Sequence, residues 1–127
     1  MSPAANRLRS HYVYVYIGST IRTMRLTYPT ALVLQALLDG HHHGFDVMEA
    51  TGLPSGTVYP ILRRLDAEGC VRSRWEKESL ARREQRPPRR YYGLTAGGKT
   101  IALDAKQRAQ AMAEAGKRLL RPVESEG

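Results

Sequence analysis

The chain has 127 residues, 42% of them hydrophobic, which is enough for one domain with one core. Its formal net charge of +8 draws polyanions and puts nucleic acid first among partners, with added solubility as the bland alternative. The single cysteine, Cys70, excludes an internal disulfide and fits a reducing, cytoplasmic compartment, while no apolar run approaches the ~20 residues that cross a bilayer.

Residues Met1 to Thr23 differ in pattern from the rest of the chain. The alternation Tyr12-Val13-Tyr14-Val15-Tyr16-Ile17 has β propensity throughout, yet it is too short and too rich in tyrosine for a secretory segment. It reads as a poorly patterned extension, either an extra strand or an upstream stretch included because translation is assigned to start before Met24, and in preference a weakly ordered or swapped arm over a functional element. The well-patterned part begins at Met24.

"YPTALVLQALLDG" supplies Pro29 near a helix start, Leu34, Leu37 and Leu38 as a buried stripe, and Gly40 as a stop. "GFDVMEATG" spaces Phe45 and Met48 three apart and ends on Gly52, giving a short second helix. The third is "TGLPSGTVYPILRRL", where Val58, Ile61, Leu62 and Leu65 follow i, i+3, i+4, i+7 and end near Glu68, before Gly69. Pro60 in its middle deletes a backbone donor and directs its ring at the carbonyl of Gly56. A glycine and a proline on one side give a slender first turn that something large can approach.

At about 100° per residue, the outward half of this third helix carries Gly56, Tyr59, Pro60, Arg63 and Arg64, with Thr57 at the side. Its N-terminus and the hydroxyls of Ser55, Thr57 and Tyr59 suit phosphate oxygens or base edges, and the arginines suit phosphate or guanine. The competing reading makes Ser55 a cap and the arginines a solvated face.

"CVRSRW" and "RRYYGL" alternate with period two around a polar, proline-bearing loop from Glu76 to Pro88, and predict a β-hairpin. Val71, Ser73 and Trp75 share one face; Cys70, Arg72 and Arg74 share the other. Lys77, Arg82, Arg83, Arg86, Arg89 and Arg90 outnumber Glu76, Glu78 and Glu84, and Pro87 and Pro88 stiffen the return arm. Thr95 then caps a helix running to about Arg121. Three helices, a hairpin and a long helix make a mainly α fold with a small β-hairpin, a winged helix-turn-helix over residues 24–95. Residues 96–121 form the long helix and 122–127 a tail.

Two blocks, "GFDVMEATGLPSGTVYPILRRLDAEGCV" and "RPPRRYYGLTAGGK", carry a resemblance to the PadR family of bacterial transcriptional regulators, spanning about Thr27 to Lys99. That family repeats G-T-L-Y-P, a downstream R-L-E-x-x-G, and P-R-[KR]-Y-Y-x-L-T-x-x-G. The resemblance implies a homodimeric repressor in which the helix from Pro54 to Glu68 reads DNA and the wing near Arg86 to Arg90 holds the backbone. It also implies dimerisation through the C-terminal helix and, in some members, release by a small-molecule effector. The chain departs from the pattern in its extension before Met24, its triple histidine, and Gly93 where a longer polar residue is usual.

In the last helix Ile101, Ala105, Ala109, Met112, Gly116 and Leu119 form a narrow seam of mostly small residues, the expected dimer contact. The domain's own helices compete for its Ile101 end. His41, His42 and His43 invite a metal reading, but adjacent histidines in a glycine-flanked loop seldom converge, and a surface loop is expected. Cys70 is expected as a small core residue, and Trp75 as an anchor of the wing to the core or dimer interface. The resulting expectation is a DNA-binding repressor on a roughly palindromic operator, with no catalytic residues, cofactor, metal or membrane contact. Its candidate DNA contacts are Ser55, Gly56, Thr57, Tyr59, Arg63, Arg64, Arg86, Arg89 and Arg90. The alternatives are a winged-helix module binding protein or RNA, and a metal-dependent sensor or enzyme.

Overall fold

The computed structural model describes residues 12–17 and 20–120, with only the backbone course given for 12–17 and 20–25. Two strands, β1 (Tyr12–Ile17) and β2 (Thr20–Arg25), pair antiparallel from Tyr12 opposite Arg25 to Ile17 opposite Thr20. The extra strand that was the lesser expectation for this segment is thus two strands. The boundary expected at Met24 falls inside β2. The expected tail and the final residue of the long helix lie outside the described residues.

Helix α1 (Tyr28–Leu38) starts at Thr27, whose hydroxyl accepts from the Thr30 amide at 3.4 Å, and has Pro29 in its first turn, where no intrahelical donor is lost. Helix α2 (Gly44–Thr51) is capped by His43 and stops at Gly52, whose left-handed φ of 74° favours glycine. Val47 fills the buried position of α2, and Phe45, expected on the apolar side, is 60% exposed. Helix α3 (Ser55–Ala67) ends in a turn through Gly69 (φ 74°), where the Cys70 amide donates to the Leu65 carbonyl at 2.8 Å.

The wing is β3 (Val71–Trp75) paired with β4 (Arg90–Leu94), with Val71 opposite Leu94 and Trp75 opposite Arg90. Its tip contains one short helix, α4 (Glu78–Arg83), where the sequence predicts a plain loop. The acidic Glu78 at its start and Arg82 and Arg83 at its end complement the helix dipole, and buried Ala81 fixes it inward. Long helix α5 (Ala96–Leu120) begins at Thr95, whose hydroxyl accepts from the Gly98 amide at 3.1 Å and donates to the Gly69 carbonyl at 2.7 Å.

One core joins these elements. Val33, Leu34 and Leu37 of α1 meet Val47 of α2, Val58, Ile61, Leu62 and Leu65 of α3, Cys70, Val71 and Tyr92 of the wing, and Ile101, Ala102 and Ala105 of α5. Each large aliphatic side chain buried there contributes roughly 1.5–3 kcal/mol. The four aliphatic residues of α3 therefore decide which of its faces stays outside. The backbone of β1 runs beside α5.

Candidate nucleic-acid interface

Helix α3 is the centre of the exposed basic surface. Ser55, Gly56, Tyr59, Pro60 and Arg63 are exposed and Thr57 is half-buried. No side chain caps the start of α3, because Pro54 occupies the N-cap position, so Ser55 is not the cap of the competing reading. A Cβ built on Gly56 would meet nothing within 4 Å, which agrees with an unobstructed first turn. Tyr59 is set from α2: its ring lies over Gly44 so closely that a methyl group at residue 44 would collide with it.

Arg64 does not share this outward face. Its Nη2 donates to the Thr30 hydroxyl at 2.6 Å, and Thr30 is wholly buried in α1. The reason is angular: Arg64 stands roughly 110° from the middle of the apolar stripe, at its flank, and a long side chain there folds back onto the neighbouring helix. Arg64 joins α3 to α1, and Arg63 remains as the exposed cation of the pair.

Arg86 is likewise engaged. Its two terminal nitrogens donate to the two carboxylate oxygens of Glu76 at 2.6 and 2.9 Å, and the Tyr91 hydroxyl donates to Glu76 Oε2 at 2.9 Å. The Glu76 side chain is only 3% exposed, and its amide donates to the Arg89 carbonyl at 2.8 Å. Hydrogen bonds from Arg86 hold the Glu76 carboxyl down to about 2, against the upward push of desolvation, with Tyr91 helping. The expected backbone contact at Arg86 is thus a clasp at the base of the wing tip. Arg89, three residues on, is exposed.

Arg90 ties the wing to α3. Its Nη2 donates to the Ser73 hydroxyl at 2.7 Å and lies 3.7 Å from Asp66 Oδ2, to which Ser73 also donates at 3.0 Å. The guanidinium stands over the rings of Trp75 (5.6 Å) and Tyr92 (5.9 Å). Trp75, expected as an anchor of the wing to the core or dimer interface, is not in the core of this chain: it is 65% exposed. It shares a strand face with core residue Val71, but burial along that face falls off from Val71 to Trp75.

The histidine loop is a structural joint. His42 Nδ1 donates to the Tyr92 carbonyl (3.2 Å), and the Tyr92 amide donates to the His42 carbonyl (2.7 Å). His41 Nδ1 contacts Asp46 Oδ1 at 3.0 Å, whereas His43 Nδ1 accepts from the Asp46 amide at 3.3 Å. Burial, assisted by Arg89, lowers the His43 pKa, which suits a neutral ring accepting that bond. The three Nδ1 atoms thus bond three different atoms, two on Asp46 and one on Tyr92, and among the described residues no group of three or more ligand-type side chains gathers for a metal. Cys70 is buried, and burial pushes its thiol up to about 11, which suits the small core residue expected.

The C-terminal seam divides in two. Ile101 and Ala105 are buried against the domain's own core, so they are not available to a second chain. They lie where α1 and α5 cross, a contact that periodicity within α5 cannot distinguish from an intermolecular one. Ala109 is exposed, Gly116 half-buried, and Met112 and Leu119 are 76% and 85% exposed.

Glu76, Tyr91, Ser73 and Asp66 hold the site together and were not singled out from the sequence. The available signal for Glu76 is its position as the first of three acids in an arginine-rich tip. Asp66 and Ser73 come from different elements, and no local pattern pairs them. Among the described residues no helix is long and apolar enough to cross a membrane.

Solved structures share this architecture. A PadR family transcription regulator of Clostridium difficile superposes with a TM-score of 0.63 at 22% identity, covering 74% of this chain and 99% of that one. A PadR-like transcriptional regulator of Bacillus cereus gives 0.61 at 21%, covering 74% and 92%. BpsR of Bordetella bronchiseptica, whose DNA binding is regulated by 6-hydroxynicotinic acid, gives 0.60 at 24%, covering 76% and 69%. A comparison with curated proteins found no match. The model of the transcriptional regulator PadR-like family matches residues 33–103, more than half the chain, from the middle of α1 through the wing into α5. The chain therefore belongs to the PadR-like family of transcriptional regulators, a family of DNA-binding regulators and not of enzymes.

Proposed function

We propose that the protein acts as a homodimer on a roughly palindromic operator, represses by occupying it, and is released by a small-molecule effector. The observation that carries this reading is the exposed strip Ser55, Gly56, Tyr59 and Arg63, flanked by half-buried Thr57, on a helix whose opposite side is locked into the core. A helix so anchored enters a major groove with its side chains already placed, while Arg89, exposed on the wing, offers a cation to phosphate. Pairing is supported by the distal half of α5, where Met112 and Leu119 stand in solvent. Two copies joined there would present two α3 helices to major grooves about 34 Å apart on one face of the duplex. Release by an effector is supported by the ligand regulation of BpsR, a protein of like fold.

The test is a titration of fluorescein-labelled duplexes, drawn from a randomised pool and selected for retention, against competitor DNA at several salt concentrations. Tight, competitor-resistant binding to an inverted repeat, with steep salt dependence, is expected. Binding to RNA or protein in preference to duplex, or binding without salt dependence, would make the fold an interaction module and defeat the proposal.

A further inference from the structure

Trp75 is the chain's single tryptophan, and it stands mostly in solvent near the basic wing tip. Isolated exposed apolar side chains are ordinary, but this ring is held in place. Trp75 ends β3 opposite Arg90, and Arg90 covers one side of the indole at 5.6 Å. Arg90 is itself fixed by Ser73 and by Asp66 of α3. Strand alternation puts Trp75 on the same side as Ser73, which bonds to α3, so the ring faces the side of the wing on which the recognition helix lies. A carboxylate at such a place would repel DNA; Arg90 answers Asp66 and leaves the rest of the indole open.

We infer that Trp75 is a DNA-contacting residue, its indole lying against the sugar-phosphate wall of the minor groove beside the major groove entered by α3, with Arg90 as its positioning residue. The inference rests on the DNA-binding reading above. An indole offers sugar atoms a flat apolar face and phosphate oxygens an N–H donor, both independent of sequence. The contact therefore adds affinity on every duplex.

The full-length protein is titrated with a fluorescein-labelled 30-base-pair duplex of mixed sequence at low salt, and label anisotropy is followed together with intrinsic tryptophan emission and its quenching by acrylamide. As the chain has one tryptophan, the emission reports this ring alone. The expected result is a change of emission and protection from acrylamide that track the rise in anisotropy. Trp75→Ala, on a ring this exposed, should keep the circular dichroism and melting of the wild type and bind roughly three- to tenfold more weakly on all duplexes. Trp75→Phe should recover part of the loss, and Arg90→Ala should lower the steady-state anisotropy of the indole in free protein. Rising label anisotropy with unchanged tryptophan emission and unchanged affinity of Trp75→Ala would overturn the inference and leave the DNA-binding reading standing. A tryptophan signal that follows protein concentration and ignores DNA would assign the ring to contact between copies and overturn it as well. No anisotropy change on any duplex would remove both.

Discussion

Arg86 and Glu76 face each other across the base of the wing tip as a two-pronged ion pair, with both guanidinium ends on both carboxylate oxygens at 2.6 and 2.9 Å. Nine residues of chain, including α4, lie between them, and the two prolines follow Arg86 directly. The pair closes that excursion so that Arg89 leaves it from a fixed point, its carbonyl already bonded to the Glu76 amide. Paired arginine and carboxylate planes also resist rotation, which a lysine in place of Arg86 would not.

Glu76→Gln should loosen the wing and weaken binding to all duplexes alike. In the wild type the folded carboxyl titrates near 2 and the free one near 4.5. Its stabilisation is therefore complete above pH 4.5 and is lost as pH falls toward 2. Thermal melts from pH 7 to 2 should show this acid-dependent loss in the wild type and a smaller one in Glu76→Gln. Parallel curves for the two proteins would show that the clasp contributes no pH-dependent stability.

Thr30→Val removes the acceptor that meets Arg64 and leaves a guanidinium half-buried beside an apolar group. The expected cost is about 1–3 kcal/mol of folding stability, read from denaturant midpoints, with no change in which bases are preferred. A change in base preference instead would place Arg64 at the DNA.

Arg63→Ala and Arg89→Ala should differ in kind. Loss of Arg63 should cost about 1–3 kcal/mol on the preferred operator and relax discrimination at one position, if its guanidinium reaches a base edge. Loss of Arg89 should weaken every sequence to the same extent and reduce the slope of log affinity against log salt by about one. Quantitative titrations on matched and single-mismatch duplexes separate the two, and equal behaviour of both variants would refute the assignment.

The two halves of the α5 seam should respond oppositely to substitution. Leu119→Glu, at a side chain 85% exposed, should leave the unfolding of the domain intact and lower the mass seen in light scattering to that of a monomer. Ile101→Ala, at a buried position, should cost roughly 2–5 kcal/mol of stability. An unaltered mass for Leu119→Glu and Met112→Glu together would exclude pairing through this part of α5.

Gly98→Ala should be among the most damaging single methyl additions in the protein, because a Cβ there would run into the Cys70 backbone carbonyl, which cannot move aside as a side chain can. Overpacking of this kind costs about 1–3 kcal/mol. Gly93→Ala, on the open side of the wing with nothing within 4 Å, should melt close to the wild type. Equal melting temperatures for the two variants would contradict the close approach of α5 to the Cys70 backbone, just before β3.

Much of this molecule was decided by local sequence. The i, i+3, i+4, i+7 stripe of α3, the left-handed turns at Gly52 and Gly69, the Thr95 cap and the two alternating wing segments each follow from side-chain periodicity or backbone preference within a few residues, and so each is legible before any tertiary contact forms. The fate of the charged side chains was not. Arg63 and Arg64 are neighbours of one type, yet only the second lies within reach of a hydroxyl on another helix. Arg86 and Arg89 are three residues apart, yet only the first finds a covered carboxylate. Ile101 and Leu119 share one seam, but only Ile101 meets α1. Periodicity states which side of an element is apolar, whereas the partner of a long flexible side chain depends on what the fold brings to within about 3 Å of its end, and that distance exists only once the helices have packed.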